Sequence, residues 1–185
     1  NLFSQKIQTQ LPDTISLWKK ENKVGFDVSQ IAFLNWNAGG NNSVAGLLKG
    51  NFNRDYIIDN FTWRNEMIIR YGINKQEGRE WRKTDDQFQI NSTVGYRNDT
   101  ISDWYYAGKF NFNTQFSNGY AYPNTDLAIS KPFAPAYLFL GIGAEYTRKE
   151  LNLNFYISPL TQKTTFVFDE RLANQGTFGV DKAIY

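Results

Sequence analysis

Cysteine and histidine are both absent from this 185-residue chain. Without cysteine there is no disulfide, no thiolate metal ligand and no thiol nucleophile. Without histidine the commonest general base is missing, and with it the Ser-His arrangement and most zinc sites. No apolar run reaches the roughly 18 residues that a spanning helix needs. The net charge of +2 gives no strong pull toward nucleic acid or anionic lipid as a whole. The N-terminus carries no signal-like segment, so the expectation is either a cytosolic protein or a mature chain whose signal has been removed.

Aromatic residues are plentiful at 17%. Much of the polar content is Asn, Gln, Ser and Thr rather than charge. The mean hydropathy of -0.53 argues against a helical membrane protein. It does not argue against a membrane barrel, which spends only alternate residues on lipid.

The stretch QFQINSTVGY (Gln87 to Tyr96) shows the dominant pattern. Phe88, Ile90, Val94 and Tyr96 fall on one face of an extended chain, and Gln87, Gln89, Asn91 and Thr93 on the other. Similar runs cover Val24 to Trp36, Ser43 to about Ile57, Phe61 to Ile73, Trp104 to Phe116, Tyr137 to Arg148 and Leu151 to Ser158. Thr164 to Phe168 is a shorter eighth candidate, and Thr14 to Lys20 reads as a short helix. The links Asn37–Asn42, Asn74–Asp85 and Ser117–Ala136 read as long. They alternate with short turns at Asp59-Asn60, Asn98–Ser102 and Lys149-Glu150. Loops sorted in this way suit an up-and-down barrel with short turns at one end. Runs of about 9–15 residues suit tilted spanning strands better than soluble ones.

The expected fold is all-β: an antiparallel up-and-down transmembrane β-barrel, with about eight strands here and about ten to twelve in an intact chain. Residues 1–22 are expected to be a periplasmic N-terminal segment and 23–185 the outer-membrane barrel domain, incomplete at its C-terminus. The lipid-facing side chains would be Phe88, Ile90, Val94, Tyr96, Phe110, Phe112, Leu138, Leu140, Ile142, Leu151, Leu153 and Phe155. Trp36, Trp63, Trp104, Tyr105, Tyr106 and Tyr146 sit near run ends, where interfacial aromatics belong. Asp27, Arg64, Glu66, Arg70, Lys109 and Glu145 would form a lumen charge network. In a barrel this narrow, self-neutralisation is favoured over a selective channel lining.

The segments FLNWNAGGNNS, RYGINK, KTDDQFQINSTVGY, FNTQFSNGYAY, FAPAYLFLGIGAEY and YISPLTQKTTFV form an ordered set. This set resembles a domain-of-unknown-function family of outer-membrane β-barrel proteins from Bacteroidota, over nearly the whole chain from about Lys20. The resemblance implies a fold and the outer membrane of a Gram-negative cell, and so outer-membrane lipid as a partner; other outer-membrane proteins are expected as partners from the small lumen and the lack of catalytic groups. It implies no reaction.

Other motifs favour bland readings. Asn37–Asn42 is glycine-rich but lacks the following helix and the Lys-Ser/Thr pair of a phosphate loop, so a tight turn is expected. Asp85 and Asp86 are adjacent and so point to opposite faces of a strand. Asp86 is assigned to the lumen beside the Gln-rich positions, and Asp85 to capping a loop; a calcium site on Asp85 has little support. Trp104-Tyr105-Tyr106 suits a girdle better than a sugar platform. No catalytic residue, cofactor, metal ligand or nucleic-acid contact is expected. The leading function is a non-enzymatic accessory or structural subunit of a larger outer-membrane assembly. A passive small-solute channel, an outer-membrane hydrolase and a soluble ligand-binding β-domain are the alternatives.

Overall fold

A computed structural model describes residues 17–32 and 41–181. Strands β1 (Trp18–Ile31), β2 (Ser43–Ile58), β3 (Phe61–Gln76), β4 (Arg82–Tyr96) and β5 (Trp104–Thr114) follow one another along the chain. After the short pair β6 (Gly119–Tyr120) and β7 (Ala128–Ser130) come β8 (Ala136–Arg148), β9 (Leu153–Phe166) and the helix α1 (Glu170–Asn174). Seven strands form one sheet in the order β1-β2-β3-β4-β5-β8-β9, and every pairing is antiparallel. β6 and β7 pair only with each other, inside the link between β5 and β8. The chain is therefore all-β and meandering. Among the described residues the sheet is open, because neither β1 nor β9 has a partner on its outer edge.

Several sequence expectations change. Trp18–Lys20, expected in a short helix, begins β1 instead, while Thr14 to Ser16 lies outside the described residues. Trp18 packs at a tilt against Tyr56 with ring centroids 5.1 Å apart, and this packing overrides a weak local preference. The seventh and eighth runs are a single strand, β9, which continues through Pro159. β9 is an edge strand, so the missing donor of Pro159 is tolerated. The register slips between Ile142 and Ala144 at this point. Gly143 fills the slip, since a Cβ there would lie 1.8 Å from the Ile157 carbonyl oxygen. Leu151 falls in a single 3-10 turn, Lys149–Leu151, rather than in a strand.

The loop alternation is weaker than expected. β3 and β4 extend toward each other, leaving only residues 77–81 between them, whereas β4 and β5 are joined by residues 97–103. The link of residues 115–135 is long, and it packs with the C-terminal helix. Asp169 caps α1 by accepting from the Leu172 backbone N–H at 3.0 Å, and it pairs with Lys131 at 2.6 Å. Arg171 donates to the Ala128 carbonyl, and Leu172 is buried beneath.

The two faces of the sheet differ in chemistry and in exposure. Val24, Phe26 and Val28 on β1 are register partners of Gly50, Leu48 and Gly46 on β2. The same face continues through Met67, Ile69 and Tyr71 to Ile90 and Phe88, then to Phe112, Leu138, Leu140 and Ile142. These apolar side chains meet no second layer among the described residues. Val24 is 70% exposed and Ile142 64%. Among the described residues the buried apolar set is only Ala107, Ala128, Ala134, Ala136 and Leu172. A soluble sheet of this size buries its oily face against another layer. This one leaves it open.

The opposite face is polar, yet half-buried. Asn51, Asn53, Glu66, Asn91 and Asn111 are all less exposed than the valines and phenylalanine of β1. A flat sheet with nothing on either side would expose both faces alike. Arg64 on β3 and Glu145 on β8 supply the reason. They are separated by β4 and β5, about 14 Å of sheet at ordinary strand spacing. Their charged ends nevertheless approach to 3.9 Å. The sheet curls, with its polar face on the inside.

Candidate functional site

The concave face is organised around Glu66, at the middle of β3. Alternation brings Asn51 of β2 and Asn91 of β4 beside it. Asn51 Nδ2 donates to one Glu66 carboxylate oxygen at 2.7 Å, and Asn91 Nδ2 to the other at 2.9 Å. Behind Asn51, Asn53 Nδ2 donates to Asn51 Oδ1 at 2.6 Å. On the other side, Asn91 Oδ1 accepts from Asn111 at 2.5 Å and from Gln89 at 3.0 Å, and Gln89 Oε1 accepts from Gln87 at 2.7 Å. One carboxylate thus terminates a chain of amides that spans β2 to β5. Each amide nitrogen in the chain finds an acceptor, so the donors on this inner wall are not stranded.

A second cluster is centred on Glu145 of β8, which is 5% exposed. Its carboxylate accepts from Asn154 Nδ2 at 2.5 Å and lies 3.7 Å from Lys109 Nζ and 3.9 Å from Arg64. Two cations offset one buried anion. The Lys109 ammonium also sits over the Tyr156 ring, 4.1 Å from its centroid. The Tyr156 hydroxyl is buried and has no hydrogen-bond partner among the described residues. Asp27 pairs with Lys49 at 2.6 Å, and Arg70 with Asp85 at 2.6 Å.

All six predicted lumen charges lie on this face, but not as one network. Arg64, Lys109 and Glu145 come together. Glu66 is held by amides, and Asp27 and Arg70 each have a separate partner. Sequence reasoning did not single out Lys49, Asn51, Asn91, Asn111, Asn154 or Tyr156. Their shared parity with Glu66 or Glu145 was the available signal.

The two adjacent aspartates exchange the roles expected of them. Asp85 points to the polar face and Arg70. Asp86 has the parity of the apolar face, opposite Tyr71, and fastens the long link. It accepts from the backbone N–H of Phe116 at 2.7 Å and of Ser117 at 3.0 Å, and from Lys83 Nζ at 2.7 Å. With Asp85 committed to Arg70, the calcium reading loses its ligand. Among the described residues, no group of three or more acidic side chains gathers in a way that would hold a metal ion.

On the convex face, aromatics form a row at the end that carries the tight β2–β3 turn. Trp18 meets Trp63 at 5.5 Å between centroids, Tyr96 stands opposite Tyr106, and Trp104 meets Tyr146 at 5.1 Å. Phe155 continues the row onto β9 as the partner of Tyr146. Tyr105, grouped with these in the sequence, alternates to the polar face, where the Arg97 guanidinium lies 5.3 Å from its ring centroid. Trp36 lies outside the described residues. The predicted lipid-facing residues other than Leu151 all have the parity of the convex face.

A family model described as "Protein of unknown function (DUF3078)" matches residues 28–120, half of the chain. The chain belongs to this family. The match covers β2 to β6 and only the last four residues of β1, so it includes the amide chain and Asp86 but not Glu145. Two of the segments that carried the resemblance, FAPAYLFLGIGAEY and YISPLTQKTTFV, fall beyond the matched residues. Neither a search of curated proteins nor a search of solved structures finds a match.

Proposed function

We propose that this DUF3078 chain is a non-enzymatic integral outer-membrane protein. Its curled sheet would be the wall of an up-and-down β-barrel, with the convex face in lipid and the amide chain in the lumen. The observation that carries this reading is the inverted burial: exposed Val24, Phe26 and Ile142 outside, half-buried Asn51, Glu66 and Asn91 inside. Dimensions agree with it. From Trp63 to Tyr71 is eight residues, about 26 Å along a strand. At the tilt of barrel strands this becomes roughly 20 Å of membrane depth, near the apolar band of such barrels.

Closure follows a parity rule. The sheet has seven strands, so β1 and β9 run parallel. An all-antiparallel barrel therefore needs an odd number of further strands between them. The polar wall spends its amide donors on Glu66 and on one another and pairs most of its charges. This supports an accessory or structural role in a larger outer-membrane assembly. Fractionation of native membranes followed by a pull-down in mild detergent tests the reading. Recovery in the outer membrane with stable partners is the expected result, and recovery as a soluble protein without detergent overturns it.

A passive small-solute channel is the second reading. The buried, unpartnered Tyr156 hydroxyl beside Lys109 favours it, because a wet lumen would satisfy that group. Conductance in a planar bilayer separates the two.

A further inference from the structure

We infer that a cleft at the rim of the apolar face binds the anionic headgroup of a membrane lipid. The inference rests on the reading that this face meets lipid. The cleft has a volume of about 360 Å³ and lies where the long link folds over the ends of β3 and β4. Tyr71, Ile73, Trp81, Arg82, Tyr120 and Tyr122 are among its lining residues. Tyr71 and Ile73 are the last members of the apolar row on β3, so the cleft is continuous with the oily face.

The polar half of the cleft is cationic. The Arg82 guanidinium lies 5.3 Å from the centroid of the Tyr122 ring. Among the described residues it has no carboxylate partner. Outside the lining itself, Lys75 Nζ lies 5.9 Å from the ring centroid of the lining residue Trp81 and has no carboxylate partner among the described residues. Lys83 is already engaged by Asp86 and by the Ser117 carbonyl, so it holds the wall rather than the ligand. Its backbone N–H donates to the Tyr122 hydroxyl at 3.1 Å, which fixes the ring under Arg82. Glu77 and Glu80, in the turn between β3 and β4, are exposed and do not line the cleft. A site that is apolar on the membrane side and carries the stacked, unneutralised Arg82 on the water side, with Lys75 behind Trp81, fits an amphiphile with a negative head. A zwitterionic head leaves these cations partly uncompensated.

The test is native mass spectrometry of the full chain in nonionic detergent, titrated with phosphatidylglycerol, with phosphatidylcholine of the same acyl chains, and with inorganic phosphate alone. The expected result is retention of one phosphatidylglycerol with a several-fold preference over phosphatidylcholine. Arg82→Gln should cut that preference about five-fold, as expected for one cation near an anionic surface. Lys163→Gln, on the polar side of β9, should leave it unchanged. Equal retention of both lipids overturns the inference, as does an Arg82→Gln variant with wild-type preference. Binding of inorganic phosphate as tight as that of the lipid shows a free-anion site and also overturns it. Should Arg82→Gln fail to fold, the wild-type preference between the two lipids decides. If the chain inserts into vesicles but shows no preference, the inference alone fails. If it never inserts, the proposed function fails with it.

Discussion

Arg64 and Glu145 meet at 3.9 Å across two intervening strands, and Lys109, on the strand next to Glu145, meets the same carboxylate at 3.7 Å. The contact records the curl of the sheet, and it also makes Glu145 the best-buried charge on the polar face. Glu145→Ala leaves two cations facing each other without an anion. A loss of about 2 kcal/mol is expected, below the usual cost of breaking a buried pair because Arg64 is 37% exposed and both contacts are long. In a Lys109→Ala background the same change should cost roughly 1 kcal/mol less, a coupling read from a double-mutant cycle. Denaturant unfolding followed by tryptophan fluorescence measures both.

Glu66 terminates the amide chain, so its removal strands the donors of Asn51 and Asn91. Glu66→Ala should cost about 2–3 kcal/mol. Glu66→Gln should cost less, since it keeps one acceptor and the neighbouring amides can flip to meet the new donor. Equal losses from the two variants in the same unfolding experiment would show that the charge, not the hydrogen bonding, matters at this position.

Gly143 sits at the register slip opposite Pro159. Gly143→Ala drives a Cβ into the Ile157 carbonyl, so β8 and β9 must separate there. Destabilisation of about 2 kcal/mol or more is expected, with faster amide exchange confined to β9. Gly108→Ala is the control, because no atom lies within 4 Å of a Cβ built there.

The hydrogen bond from Lys131 holds the Asp169 carboxyl below its ordinary value, with help from the Leu172 N–H. A depressed carboxylate stabilises the fold above its unfolded-state value and loses that contribution as pH falls through the folded one. The packing of α1 on the long link should therefore loosen below about pH 4 and not above it. Hydrogen exchange at the N–H of Leu172 as a function of pH measures this. Asp169→Asn should abolish the acid dependence and speed exchange at every pH.

Strict alternation carried most of what the sequence revealed. It assigned Phe88, Ile90, Leu138 and Ile142 to one face and the six charges to the other, and the structure keeps those faces. At Asp86 and Tyr105 the expected positions run against alternation, and the structure follows alternation. Asp86 has the parity of Phe88, so alternation puts it on the oily face against the expected lumen position, and an unpaired carboxylate there would be costly. The Phe116 and Ser117 N–H groups, brought from a distant link, remove that cost, and a local pattern cannot show them. Tyr105, expected in the girdle with Trp104 and Tyr106, has the opposite parity and pairs in register with Glu145. β9 reads locally as two runs, yet it continues through Pro159 because an edge strand tolerates the missing donor, and edge position is a property of the whole sheet. The pairing of Arg64 with Glu145 depends on curvature, which no single strand encodes.

The central claim is that the apolar face meets lipid and the polar face does not. The absence of cysteine allows single-site labelling without background. The most direct measurement places an environment-sensitive fluorophore on Ile142→Cys and, separately, on Asn111→Cys in protein reconstituted into vesicles. Quenching by a lipid-borne nitroxide is then compared with quenching by a water-soluble one. The account predicts that the label at residue 142 is blue-shifted and quenched from the lipid, and that the label at 111 is shielded from lipid. A label at 142 shielded from both quenchers, in a protein that stays in solution without detergent, would contradict it and make the oily face an interior.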